Sequence, residues 1–154
     1  MTYRPRHFEP HELIPGLSGV ETWATLDPNL RALLSDVLLD TCDEVRELLG
    51  VPCGVNDYAT GGCRQWCGYR PPECLIGAPR SFHRLGMAAD LHPIGMSADD
   101  ARARIREAVA AGRLLHLGGI ETGVSWLHID VRPRRNGQVV EFSAPVTKGA
   151  KNGR

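Results

Sequence analysis

Apolar residues recur at intervals of three and four over 28–49: Leu30, Leu33, Leu34, Val37, Leu38, Val45, Leu48 and Leu49. That spacing places them on one face of a helix. Asp27-Pro28 supplies a cap and a first-turn proline, and Gly50 before Val51-Pro52 supplies a stop. The opposite face, with Arg31, Asp36, Asp40, Asp43, Glu44 and Glu47, reads as solvated. A second helix is expected from Ser97 to about Ala111, because Ser97-Ala-Asp-Asp100 approximates a capping box and Gly112 ends the run. Its Arg102, Arg104, Arg106 and Arg113 mix with Asp99, Asp100 and Glu107 and read as a charge-balanced surface. Short strands are expected over 86–92, 114–120, 125–132 and 138–143. Within the third, Leu127, Ile129 and Val131 share one face, and Trp126, His128 and Asp130 the other. Asn136-Gly137 predicts a hairpin between the last two strands.

Residues 53–80 are rich in Gly, Pro and Cys and show little periodicity beyond a short strand at 54–58. So long a loop inside a small domain points to function. Residues 1–27 read as an arm packed on the domain through Tyr3, Phe8 and Trp23, residues 28–145 as the domain, and 146–154 as a disordered basic tail. The expected fold is α+β: a small antiparallel sheet flanked by two helices. Strands and helices do not alternate in the manner of a doubly wound sheet.

Composition narrows the partners. The 154 residues carry 18 Lys+Arg against 18 Asp+Glu, so net charge is zero and a mainly electrostatic nucleic-acid or membrane-surface partner is disfavoured. No apolar run reaches the ~20 residues that span a bilayer. The opening residues lack an apolar signal core, so the expectation is cytoplasmic synthesis, which suits a phage lysis or virion-associated protein as well as a cytoplasmic enzyme. A monomer is expected. The five cysteines, at 42, 53, 63, 67 and 74, read as reduced thiols. Cys63, Cys67 and Cys74 have a spacing that a structural zinc could use, but buried thiols in a loop-rich segment are the preferred reading.

The candidate chemistry lies in two segments. Ser81-Phe-His-Arg-Leu-Gly-Met-Ala-Ala-Asp90 places His83 and Asp90 seven residues apart, around a turn at Gly86 and a run of small residues. The strand Trp126-Leu-His-Ile-Asp130 adds His128. Two histidines and a carboxylate with a fourth position open is a ligand set of catalytic zinc.

Together these segments resemble the zinc D-Ala-D-Ala carboxypeptidases and L-alanyl-D-glutamate endopeptidases, peptidoglycan peptidases that share a metal-site fold with the hedgehog signalling domain. The resemblance lies in Ser-x-His-x-x-Gly-x-Ala-x-Asp at 81–90, Trp-x-His-x-Asp at 126–130 and Gly68-Tyr69-Arg70-Pro71-Pro72, and covers roughly Leu30 to Val131. It implies Zn²⁺ held by His83, Asp90 and His128, with a peptidoglycan stem peptide as substrate. It also implies that Arg70 stabilises the developing oxyanion; the alternative is an arginine that fixes its loop. The family's acidic base stands a few residues before the last histidine. Here position 125 is Ser and the nearest upstream acid is Glu121, seven residues before His128, with Gly123 between them. Glu121 is the favoured base and Asp130 the competing one. Ser81, Asp130, Trp126 and Tyr69 are expected to orient ligands or touch substrate. A zinc-binding structural or cell-wall-binding module without hydrolysis is the alternative function.

Overall fold

The computed structural model describes residues 2–144, so the expected basic tail lies outside the described residues. Four α-helices and a five-stranded mixed sheet make up the fold: α1 Pro10–Leu13, α2 Pro28–Arg31, α3 Asp36–Leu49, β1 Cys53–Gly54, β2 Ala88–Pro93, α4 Ala98–Ala110, β3 Gly119–Thr122, β4 Leu127–Asp130 and β5 Val140–Ser143. The class is α+β.

The periodic stretch at 28–49 is two helices. Asp27 caps α2 by accepting from Asn29 N at 2.7 Å, and Gly50 ends α3 in the left-handed conformation with φ 68°. Between them the chain turns so that Ser35 N donates to Gly86 O at 3.0 Å. A Cβ at Gly86 would collide with Leu33 O, so this break depends on a distant glycine that the local pattern does not reveal. Leu38, Val45 and Leu49 of the predicted series bury one face of α3 together with Leu39 and Cys42, whereas Val37 is exposed and Leu48 half-buried. Asp43 departs from the expected solvated face. It is buried and accepts from Tyr3 Oη at 2.7 Å, Arg6 N at 2.7 Å and His7 N at 3.2 Å. Phe8, Leu13, Ile14 and Leu26 of the N-terminal segment belong to the same buried core cluster as the apolar face of α3.

The sheet runs β1-β2-β4-β3-β5. All neighbours are antiparallel except β3 and β5, which are parallel, so the expected purely antiparallel sheet is corrected to a mixed one. Asn136 and Gly137 do form a turn with positive φ, 52° and 76°, closing a bridge between Arg135 and Gln138. The turn does not pair β4 with β5, because β2 and β3 already occupy both edges of β4. The chain therefore continues to the free edge of β3. The strand expected at 114–120 begins only at Gly119, since Leu114 is buried with φ 52° in the turn that precedes it.

Register positions the site. Asp90 pairs with His128 across β2 and β4, and Ala88 pairs with Asp130. Gly119 pairs with Asp130 across β4 and β3, so the same register carried two residues on sets Glu121 opposite His128. Residues opposite one another in a ladder share a face. Asp90, His128 and Glu121 therefore stand in one row, which Phe142 of β5 extends beside Glu121.

Candidate metal centre

His83 comes from a single 3₁₀ turn, Phe82–Leu85, which Ser81 caps by accepting from His83 N at 3.3 Å and Gly86 ends with φ 64°. Ser81 thus holds the turn that presents the imidazole. The Gly68-Tyr69-Arg70 segment cradles that turn from behind. Gly68 O accepts from His83 Nδ1 at 2.8 Å, Arg70 N donates to His83 O at 3.2 Å, and Tyr69 N donates to Leu13 O at 2.7 Å. A side chain at Gly68 would strike Leu13 O, which accounts for the glycine. A carbonyl only accepts, so the His83 proton sits on Nδ1 and the Nε2 lone pair faces inward.

His128 is held in the same way with its ring reversed. Nε2 donates to Asp130 Oδ2 at 3.2 Å, turning Nδ1 inward. Asp130 is fully buried and also accepts from Arg132 Nε at 2.7 Å and Nη2 at 2.5 Å. The Arg132 guanidinium lies 4.5 Å from the ring centroids of both Phe82 and Phe142. There is no room for a side chain above Asp130: a Cβ on Gly119 would sit 2.5 Å from both its carboxylate oxygens. At the third residue, Asp90 N donates to Cys67 O at 2.7 Å and Arg70 Nη2 donates to Asp90 Oδ2 at 2.9 Å, leaving Oδ1 toward the histidines.

The inward atoms converge. Asp90 Oδ1 lies 2.8 Å from His128 Nδ1 and 3.2 Å from His83 Nε2, and the two nitrogens are 3.3 Å apart. Ligand atoms arranged tetrahedrally at about 2.0–2.1 Å from zinc stand roughly 3.3 Å apart, so the set fits a small divalent ion. With the outer ring nitrogens committed to Gly68 O and Asp130, three lone-pair atoms face one another. A cation, proton or metal, must stand between them. The titration behaviour agrees. Burial opposes a charge on His128, but Asp130 and Asp90 overcome it and raise its pKa to about 9. Burial lowers that of His83 more than Asp90 restores it. Burial also opposes ionisation of Asp90 and Asp130, yet their histidine partners, and Arg132 at Asp130, hold both carboxyls below the usual range.

Among the described residues, His83, Asp90 and His128 are the group of His, Cys, Asp or Glu side chains able to hold a metal ion, with ligand atoms within 4.8 Å of one another; no cysteine belongs to it. Cys63, Cys67 and Cys74 are exposed, half-buried and buried respectively and form no disulfide among the described residues, and Cys67 Sγ lies 3.5 Å from His92 Nε2. Glu121 is placed beside His128 on β3, outside this group. Arg70 is buried behind Asp90, with Nε donating to Trp66 O at 2.7 Å. Trp126 is half-buried just before β4, and its carbonyl accepts from Arg102.

Two arginines stand apart from the sequence reading: Arg102, expected on a charge-balanced surface, is buried, and Arg132, which drew no reading, packs against Asp130. Arg132 follows His128 and Asp130 at the strand period of two, so alternation already put it on the site face. Arg102 sits three residues before Ile105 and four after Ala98, on the buried face of α4.

No family model, curated protein or solved structure matches the chain. No helix among the described residues is long and apolar enough to cross a membrane.

Proposed function

We propose that the protein is a zinc peptidase that hydrolyses peptide bonds of peptidoglycan stem peptides. The observation that carries the metal part is the convergence of His83 Nε2, His128 Nδ1 and Asp90 Oδ1 with both outer ring nitrogens already committed. The substrate class comes from the resemblance of the three motifs at 68–72, 81–90 and 126–130. When bound, zinc supplies Lewis acidity toward a carbonyl oxygen and toward water.

The chain's own residues supply the rest. Glu121, next to His128 in the sheet row, takes a proton from the attacking water and returns it to the leaving amine. Asp130 is fully buried against His128 and Arg132, which suits orienting the imidazole and supports Glu121 over Asp130 as the base. Arg70, hydrogen-bonded to Asp90, adds a fixed positive charge that favours an oxyanion at the site. No covalent intermediate is required, so the cysteines need not act as nucleophiles.

The test is digestion of peptidoglycan with the zinc-loaded protein, read by mass spectrometry of the fragments. Chelator-sensitive cleavage at one stem-peptide bond is expected. His83→Ala and His128→Ala should abolish both metal binding and cleavage. Glu121→Gln should keep the metal and cut kcat by roughly 10²–10⁴. Metal binding without any chelator-sensitive product would instead identify a binding module.

A further inference from the structure

We propose that Arg102 is the positioning residue that sets the β3–β4 turn and, through it, the attitude of Glu121 toward His128. Its catalytic consequence rests on the peptidase reading; the clamp rests on geometry alone. The side chain reaches from α4 with only 1% of its surface exposed. Nε donates to Glu121 O at 2.9 Å, and Nη2 donates to Val124 O and Trp126 O, each at 2.7 Å. Nη1 is held by Asp99 Oδ1 at 2.6 Å, whose side chain is 92% exposed.

Those three carbonyls belong to Glu121 itself, the middle of the turn, and the residue just before β4. One rigid plane thus fixes both ends of the segment that separates Glu121 from His128. The turn contains Gly123 at φ 76°, a conformation that offers little resistance of its own. A guanidinium can address three carbonyls at fixed angles, whereas a lysine ammonium is a point charge on a flexible stem. None of the hydrogen bonds of Arg102 reaches His83, Asp90 or the ring of His128. Its loss should therefore disturb the base far more than the metal.

The experiment compares wild type, Arg102→Lys, Glu121→Gln and the double variant as zinc-loaded full-length protein. It measures zinc affinity by chelator competition, kcat and KM on a stem peptide, and amide exchange. Arg102→Lys should keep zinc affinity and KM within about threefold and lower kcat by roughly 10–100-fold. In the Glu121→Gln background the same change should add less than about twofold, because the group it positions is gone. Full additivity there, or a loss confined to zinc affinity, would overturn the proposal. Independently of activity, amides of 122–126 should exchange at least about tenfold faster in Arg102→Lys, while β2 stays protected. Unchanged exchange would overturn the clamp. Accelerated exchange in a protein whose wild type shows no chelator-sensitive hydrolysis would uphold the clamp and overturn the peptidase reading. Arg102→Gln, which retains two amide donors, serves with the same criteria if the lysine variant does not fold.

Discussion

Replacing Asp130 with asparagine keeps the shape of the side chain and removes its charge. In the native protein both carboxylate oxygens act as acceptors, one from His128 Nε2 and Arg132 Nη2, the other from Arg132 Nε and backbone N. An amide has one oxygen and one NH₂ group. Whichever way it turns, the NH₂ faces a donor, either the imidazole N–H or the guanidinium. Loss of such a partner to a metal-ligating histidine lowers metal affinity by roughly 10–100-fold, or about 1.4–2.7 kcal/mol. Folding stability should fall as well. Breaking a fully buried ion pair costs about 3–5 kcal/mol. Arg132 retains 20% side-chain exposure and its two aromatic neighbours, so a smaller loss of about 2 kcal/mol is expected. Zinc competition against a chromophoric chelator reads the first quantity and denaturant melts of the metal-free protein read the second. The double variant Asp130→Asn/Arg132→Met should recover stability without recovering affinity. A zinc affinity within twofold of wild type in a folded Asp130→Asn protein would refute the role given to Asp130.

Two more outcomes follow from the same geometry. Gly119→Ala places a methyl group 2.5 Å from the Asp130 oxygens and 2.6 Å from Arg132 Nε; overpacking of this kind costs about 1–3 kcal/mol, and both melting temperature and zinc affinity should drop. The metal-free protein should be most stable near pH 6.5. The raised pKa of His128, about 9, contributes stability that is present below its unfolded value and lost as pH climbs toward 9. The lowered pKa of His83 acts in the opposite sense, its contribution being lost as pH falls below about 6.5. Urea melts from pH 5 to 9 should trace that maximum, and zinc should flatten its alkaline side; a monotonic rise with pH would contradict the assignment.

Much of this was legible because it is local. The period of three and four located the body of α3, the Ser97 cap and the Gly112 stop bracketed α4, with Ser97 accepting from Asp100 N, and the alternation of 127–131 put His128 and Asp130 on one face. The motif at 81–90 could be read because its turn and strand place His83 and Asp90 within one short segment. What could not be read depends on partners far along the chain. The break after α2 answers to Gly86, the burial of Asp43 to backbone donors at Arg6 and His7, and the placement of β5 to strand edges already taken. Arg102 was legible by period but misjudged by residue type, since charge alone suggested solvent; Arg132 drew no reading although the strand period places it on the same face as His128 and Asp130.

The irregular segments owe their shape to guanidinium groups on main-chain oxygens. Arg84 binds the carbonyls of Pro71, Pro72 and Cys74, Arg64 that of Val55, Arg104 that of Leu49, and Arg134 those of Leu114 and Leu117. Such groups stay protonated across the whole range in which a protein survives. The imidazoles and carboxylates at the centre can therefore gain or shed ions while the walls that hold them keep their form. Unloading should leave a standing socket, ready to be refilled without refolding.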